Sequence, residues 1–358
     1  MDKVDIKSPT TEKVDIKSLT KEELTRLLTE RGEKSFRADQ LYDWMHVKLA
    51  RNTGEMTNIP KTIREFIDNE CHYTSLSIED MQVSAVDGTR KYLFSLGDGN
   101  IIEAVWMKYR DWSSVCVSSQ VGCRMGCRFC ASTLDGCVRD LTASEMLDEV
   151  YSIQRATGER VSNIVVMGSG EPLDNYVNLI RFIKLLSDEN GLNIGERHIT
   201  VSTCGLVPEI KRLAGEKLQI TLALSLHAPD DEKRREIMPI ANKYPLREVM
   251  SAVEYYFRET GRRVTFEYAI SKGVNDSGED ALKLSKLLKG LKGHVNLIPV
   301  NPVRERDFKR SSEGDIASFK SKLEKNGINV TIRREMGRDI DGACGQLRRK
   351  HLEERFHA

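Results

Sequence analysis

Three cysteines on one short stretch, Cys123-x3-Cys127-x2-Cys130, carry the strongest chemical signal in this sequence. Thiolates are soft donors, which select zinc or iron–sulfur clusters over hard cations. A structural zinc site wants four ligands, usually as two separated pairs. Cys116 and Cys137 are the nearest further thiols, and neither has a cysteine or histidine beside it to complete a second pair. Three thiolates on one loop instead suit a 4Fe–4S cluster with one iron left open for the amine and carboxylate of a small ligand. Phe129, just before the third cysteine, fits as an apolar cover. Further along, Gly168-Ser169-Gly170-Glu171-Pro172 joins glycines, which let backbone approach a ligand closely, to an acid able to meet a ligand ammonium.

These groups need a frame. From Ser113 onward, apolar strands are predicted at 115–118, 163–167, 198–203, 219–226, 263–270, 295–300 and 329–333. Helical stretches lie between them, such as 143–156, 246–259 and 314–325. Such alternation argues for an α/β fold of parallel β/α units. Six or seven units fit an open, partial barrel or a doubly wound sheet. Either one collects reactive groups at the C-terminal ends of its strands. The cysteine stretch, the Gly168 string, Thr203-Cys-Gly205, Ser225-Leu-His227 and Asn301 all fall at those ends.

Ahead of this core, Asp87-Gly88 and Asp98-Gly99 break 82–107 into a three-stranded meander. Thr20 with Glu23 forms a capping-box pattern, and helices are predicted at 38–48 and 61–69, the second opened by Pro60. The expected organisation is a mobile extension (1–18), a helical accessory domain (19–75), a β-meander linker (76–111), the barrel core (112–345) and a basic tail (346–358). The extension contains a near-duplication in which residues 3–8 and 13–18 both read KVDIKS.

Composition narrows the class. The chain has 358 residues, 39% hydrophobic and 30% charged, and a net charge of +1, so no overall excess announces a nucleic-acid partner. Residues 304–350 nevertheless hold 13 basic and 8 acidic side chains, leaving −4 on the remainder. That local excess can hold a phosphate backbone. No apolar run approaches the roughly 18 residues of a membrane span. No secretory h-region is present, so a cytoplasmic protein is expected. Eight cysteines in such a protein imply metal or redox chemistry rather than a disulfide framework.

The cysteine spacing ahead of β/α units resembles the radical SAM superfamily. More specifically, the chain resembles the RlmN family, RNA adenosine C2 methyltransferases acting on 23S rRNA and tRNA. The strings that carry this are Cys116-Val-Ser-Ser-Gln-Val-Gly-Cys123, the Gly168 string, Ser225-Leu-His-Ala228, Val274-Asn-Asp276, residues 296–302 and Asp339-Ile-Asp-Gly-Ala-Cys-Gly-Gln346. They extend over about residues 19–350. The resemblance implies a partial (β/α)6-type barrel, a 4Fe–4S cluster on Cys123, Cys127 and Cys130, and two S-adenosyl-L-methionine (SAM) molecules per turnover. It places Gly170, Glu171, Ser202, Ser225, Leu226, His227 and Asn301 at SAM.

The chemistry explains the implied route. Adenine C2 is electron-poor and cannot attack a SAM methyl as a nucleophile, so a radical path makes sense. In the family's mechanism, Cys344 takes a methyl group and becomes S-methylcysteine. A radical derived from a second SAM activates that methyl, which adds to C2 and joins protein to RNA. Glu103 takes the C2 proton, and Cys116 releases the product by forming a transient disulfide with Cys344. Such disulfides fit a cytoplasmic enzyme.

Cys71, Cys137 and Cys204 read as structural thiols. Two departures stand out: Ser169 where methionine is more usual, and Cys204 where small hydroxyl residues are usual. RNA is expected to meet either the basic 304–350 stretch, with Arg333, Arg334, Arg348 and Arg349, or the accessory domain, with Arg37, Tyr42, Lys48 and Arg51. The target adenosine must be unstacked to reach a buried site. A flavodoxin or ferredoxin donor and a monomeric state are the further expectations. Two rivals remain: a Cfr-like enzyme methylating adenosine C8, and a zinc-stapled RNA-binding protein without catalysis.

Overall fold

The computed structural model describes residues 13–301, 303, 305–340 and 345–357, and no side chain beyond Glu353. Cys344 therefore lies outside the described residues. The chain opens with β1 (Val14–Asp15), which pairs in parallel with β2 (Cys71–His72) around α1 (Lys21–Thr29), α2 (Phe36–His46) and α3 (Lys61–Glu70). The predicted capping box starts α1. Glu23 N donates to Thr20 Oγ1 at 3.3 Å, and Thr20 N donates to Glu23 Oε2 at 2.8 Å.

The end of the expected mobile extension is corrected. Asp15, Lys17 and Ser18 are buried, and Ile16 belongs to the core. Lys17 Nζ lies 3.1 Å from Asp148 Oδ1 on α4 (Ala143–Thr157). Leu76 N donates to the other Asp148 oxygen at 2.7 Å. Burial alone would push the Asp148 carboxyl up, but Lys17 and Arg155 outweigh it and hold it below its usual range. A polar string enters the interior here because its charges find partners there.

The meander is also not a separate linker. β3 (Ser77–Val83), β4 (Arg90–Ser95) and β5 (Ile101–Lys108) form an antiparallel ladder, and β5 pairs antiparallel with β6 (Ser113–Val117). They thereby extend the main sheet. After the short hairpin of β7 (Gln120–Gly122) and β8 (Cys137–Asp140), the chain runs through the units of the core. Its strands are β9 (Asn163–Val166), β10 (Ile199–Thr203), β11 (Thr221–Ser225), β12 (Val264–Ile270), β13 (Gly293–Pro299) and β14 (Val330–Ile332). Between them lie α5 (Tyr176–Ser187), α6 (Val207–Gly215), α7 (Asp231–Ile237), α8 (Leu246–Thr260), α9 (Gly278–Leu287) and α10 (Glu313–Lys325).

The ten strands are ordered β14-β13-β12-β11-β10-β9-β6-β5-β4-β3, all parallel from β6 to β14. A doubly wound sheet reverses its order at a switch point. This one never reverses, which decides for the partial barrel. α4 is buried along most of its length because the accessory domain covers the face turned away from the sheet. α11 (Gln346–His357) corrects the expected tail: Leu347 is buried against Leu93 and Ile101 of the meander.

One buried acid supports the end of β6. Glu149 Oε2 accepts from Ser118 N at 3.0 Å, Oε1 has no hydrogen-bond partner, and burial holds its pKa well above the usual range. Unfolded chains ionise this group above pH ~4.3, whereas burial in the fold holds its proton to higher pH. The stability that goes with the raised pKa is present in acid and is lost as pH rises, by about 1.4 kcal/mol per unit until the folded pKa is passed. Glu149→Gln does not titrate. Its melting temperature relative to the parent protein is therefore expected to rise between pH 5.5 and 8.5, and a constant difference would show that Glu149 is charged in the fold.

Candidate active site

The cysteine stretch is a closed loop hung from the β7–β8 hairpin. Gly122, at φ +80°, turns the chain into it, and a side chain there would collide with the Gly136 carbonyl. Cys123 N donates to that same carbonyl at 2.8 Å, tying the loop's two ends. Inside, the Thr133 hydroxyl lies 3.0 Å from both the Cys127 and the Cys130 carbonyl oxygens. Arg128 N donates to Ile237 O at the end of α7, which fixes the loop over the barrel mouth.

Cys123, Cys127 and Cys130 line one cavity of about 670 Å³, within the range of small-molecule sites. Burial, with the other thiols nearby, pushes Cys123 up to about 12 and raises Cys127 as well. Such thiols ionise when a cation displaces their protons. Among the described residues, no three His, Cys, Asp or Glu side chains converge on the position of one ion. The donor set fits an iron–sulfur cluster: three soft sulfurs from one short loop, all on the lining of one cavity. Cys137 does not line the cavity; its thiol is engaged with Arg124.

The Gly168 string abuts this loop. A methyl on Gly168 would stand 2.7 Å from Val117 O, and one on Gly170 would stand 2.6 Å from Ser119 Oγ. Only glycine permits that approach. Ser169, the departure from the family pattern, turns its hydroxyl to Gly122 O at 3.3 Å and does not line the cavity. Glu171 does line it. Its carboxylate accepts from Cys204 N at 2.7 Å and Leu173 N at 3.1 Å, yet burial keeps its pKa raised. An ammonium brought to it would restore the charged form. Cys204 is more than a packing thiol, since it lines the cavity and its side chain bonds Glu171.

Ser202, Ser225, His227 and Asn301 reach the same cavity. His227 adopts φ +56°, unusual for a non-glycine residue, and Asn275 Nδ2 braces it through its carbonyl at 2.7 Å. His227 Nδ1 accepts from Ala269 N at 2.9 Å, so the neutral ring carries its proton on Nε2. Burial, with Arg234 adding to it, lowers its pKa to about 3, and the Phe129 ring meets it edge-on at 4.8 Å. Leu226 is placed differently from expectation: it is buried behind the wall, its N donating to Glu267 O at 3.0 Å.

Of the residues expected to act on RNA, Cys116 lines the cavity beside the cysteine loop. Glu103 is buried but does not line it. Its carboxylate pairs with Lys91 at 3.1 Å and accepts from Gly345 N at 2.6 Å and Arg348 N at 2.5 Å. Gly345, the residue after Cys344, is at φ +83°, and a Cβ there would come within 2.9 Å of Ser132 N. Arg348 and Arg349 are occupied within the protein, by Ile101 O and by Asp135, Glu305 and Glu353. Arg333 and Arg334 remain at the cavity. In the accessory domain, Tyr42 is buried and donates to Asp188, while Lys48 and Arg51 pair with Asp43 and Glu55. None of the seven described cysteines is joined in a disulfide.

Sequence reasoning missed two features. Arg234 is fully buried and donates to the carbonyl oxygens of Leu226 and Cys204, bracing two strand ends. Nothing in its local pattern sets it apart from other helix arginines. Tyr109 and Trp112 stack at 3.8 Å on the cavity wall, with Trp112 44% exposed. Two aromatics set among polar residues just before a barrel strand were the available signal.

Residues 117–285 match the model of the Radical SAM superfamily, and residues 14–72 match that of the ribosomal RNA large subunit methyltransferase N-terminal domain. A probable dual-specificity RNA methyltransferase RlmN from Lachnospira eligens is 62% identical over 336 residues, 94% of this chain and 96% of the relative. Its counterpart in Lachnoclostridium phytofermentans is 59% identical over 346 residues, 96% and 97% of the two chains. The crystal structure of a radical SAM methyltransferase from Sphaerobacter thermophilus matches with a TM-score of 0.89 at 45% identity, over 93% of this chain and 98% of that one. With both family models matched and near-full-length relatives at this identity, the chain belongs to the RlmN family of radical SAM RNA methyltransferases.

Proposed function

We propose that this transferase forms 2-methyladenosine in 23S rRNA, at the peptidyl-transferase loop, and in tRNA, 3′ of the anticodon, by way of S-methylcysteine on Cys344. The observation that carries this reading is Cys116 on the wall of the cavity that the three-thiol loop closes. Bound there, a 4Fe–4S cluster and SAM supply the methyl group and the radical that activates it. Cys123, Cys127 and Cys130 hold the cluster. Glu171 takes the SAM ammonium, while Gly170, Ser202, Ser225, Asn301 and the Nε2–H of His227 complete the wall around the cofactor; Leu226 supports that wall from behind.

Cys116 attacks the Cys344 sulfur to free the methylated base, leaving a disulfide that an external thiol or the electron donor must reduce. Glu103 receives the C2 proton. Supporting this role is its bond to the backbone of Gly345, which keeps a carboxylate one residue from Cys344. Lys91 Nζ, 3.1 Å from the same carboxylate, holds it in place from the neighbouring strand. At the mouth, Trp112 and Tyr109 offer a stacking surface for a base next to the target, and Arg333 and Arg334 meet phosphates. The remaining parts of the reading are a cytoplasmic monomer and a flavodoxin- or ferredoxin-type donor. No described helix is long and apolar enough to cross a membrane.

The test is anaerobic reconstitution with SAM, reductant and either RNA, followed by nucleoside mass spectrometry. 2-Methyladenosine is expected; 8-methyladenosine would favour the Cfr-like reading. In the same assay Cys344→Ala is expected to bind cluster and SAM but give no product. Cys116→Ala produced in growing cells is expected to carry covalently bound RNA, and its recovery free of RNA with normal turnover would remove Cys116 from product release. Trp112→Ala is expected to weaken RNA binding about 10-fold, the scale of one lost base stack, with SAM affinity unchanged. Filter binding and equilibrium dialysis read the two separately.

A further inference from the structure

The duplicated string takes no part in this chemistry, yet the structure recognises its second copy side chain by side chain. Val14 pairs in register with Cys71, and Asp15 with His72. Asp15 Oδ2 accepts from the hydroxyls of Ser144 at 2.5 Å and Ser18 at 2.8 Å. Ile16 is fully buried. Lys17 Nζ donates to Thr74 O at 2.5 Å, pairs with Asp148 at 3.1 Å and lies 4.2 Å from the centre of the Tyr73 ring. Ser18 Oγ accepts from Ser144 N at 3.0 Å.

The receiving surface, residues 71–76 and the N-terminal half of α4, lies far from the string in sequence. It is a groove that reads Val14-Asp15 as a short strand and Ile16–Ser18 as a 3-10 turn, through one edge strand, one buried acid and one pair of hydroxyls. Residues 3–8 present the same six side chains in the same order, ten positions upstream. We propose that this groove is a peptide-binding site with two ligands on one chain, and that residues 3–8 exchange with residues 13–18 within it. The kind of ligand it accepts is a peptide that enters as a short strand and turns at once into a 3-10 turn, with an acid and a lysine two positions apart.

Docking the first copy loops out the ten residues 9–18. Closing such a loop disfavours that register by roughly 30-fold. Pro9 also replaces Leu19, which is buried. The second copy therefore holds the groove in the intact chain, and the first is held in reserve. Losing Lys17 leaves Asp148 without its main partner, a penalty for a buried charge that outweighs a 30-fold preference.

The test uses the full, cluster-loaded chain and hydrogen–deuterium exchange mass spectrometry. In Lys17→Ala, protection is expected to move from residues 13–18 to residues 3–8, with a melting temperature only a few degrees below the parent. Lys7→Ala alone is expected to change neither reading. The Lys7→Ala/Lys17→Ala pair is expected to lose protection in both segments and to melt several degrees lower again. If that double variant does not fold, the exchange pattern of Lys17→Ala decides. Unchanged exchange of residues 3–8 in Lys17→Ala overturns the proposal, as does a double variant no less stable than Lys17→Ala alone.

Discussion

The Ser118 hydroxyl joins the segments on which the site depends. It donates to Glu103 O at 2.8 Å and accepts from Ser169 N at 3.0 Å, while the Ser118 backbone N–H is held by Glu149. One residue at the end of β6 thus connects, through its hydroxyl, the meander strand that contacts Gly345 and the glycine string beside the cysteine loop, and, through its backbone N–H, the helix beneath the accessory domain. Each link is buried, where a satisfied hydrogen bond is strong and an unsatisfied one is costly. The glycines follow from this arrangement. Ser169 O accepts from both Ser119 N and Gln120 N, at 2.8 and 3.1 Å, a proximity that leaves no room for a Cβ at 168 or 170.

The core of the protein was legible in its sequence because its signals are local. The capping box at Thr20, the run of β/α units and the three-cysteine spacing each sit within a few residues. The strands and helices of these units reappear in the structure with boundaries shifted by two residues or fewer. Most residues expected at SAM do line one cavity, since all of them lie at strand ends on the same side of a parallel sheet.

What was not legible depends on partners far away in sequence. Lys17 looked like part of a solvated extension until Asp148, 131 residues later, was found beside it. Arg348 and Arg349 looked like phosphate clamps, but Asp135 and the Ile101 carbonyl occupy them. Leu226 stands between Ser225 and His227, which both reach the cavity, yet just past the end of β11 its own side chain is buried behind the wall. The unusual backbone at His227 is held by Asn275, so the Val274-Asn-Asp276 string, recognisable as a pattern, gained its purpose only in three dimensions.

The separation between Lys17 and Asp148 also sets a timetable for synthesis. A ribosome adding 5–20 residues per second takes roughly 7–26 s to travel from one to the other. During that interval the N-terminal segment has left the exit tunnel and the helix that will receive it does not yet exist. The accessory helices can pack on one another meanwhile, but their attachment to the barrel waits for α4. Docking of residues 13–18 is thus among the later events in the birth of this molecule.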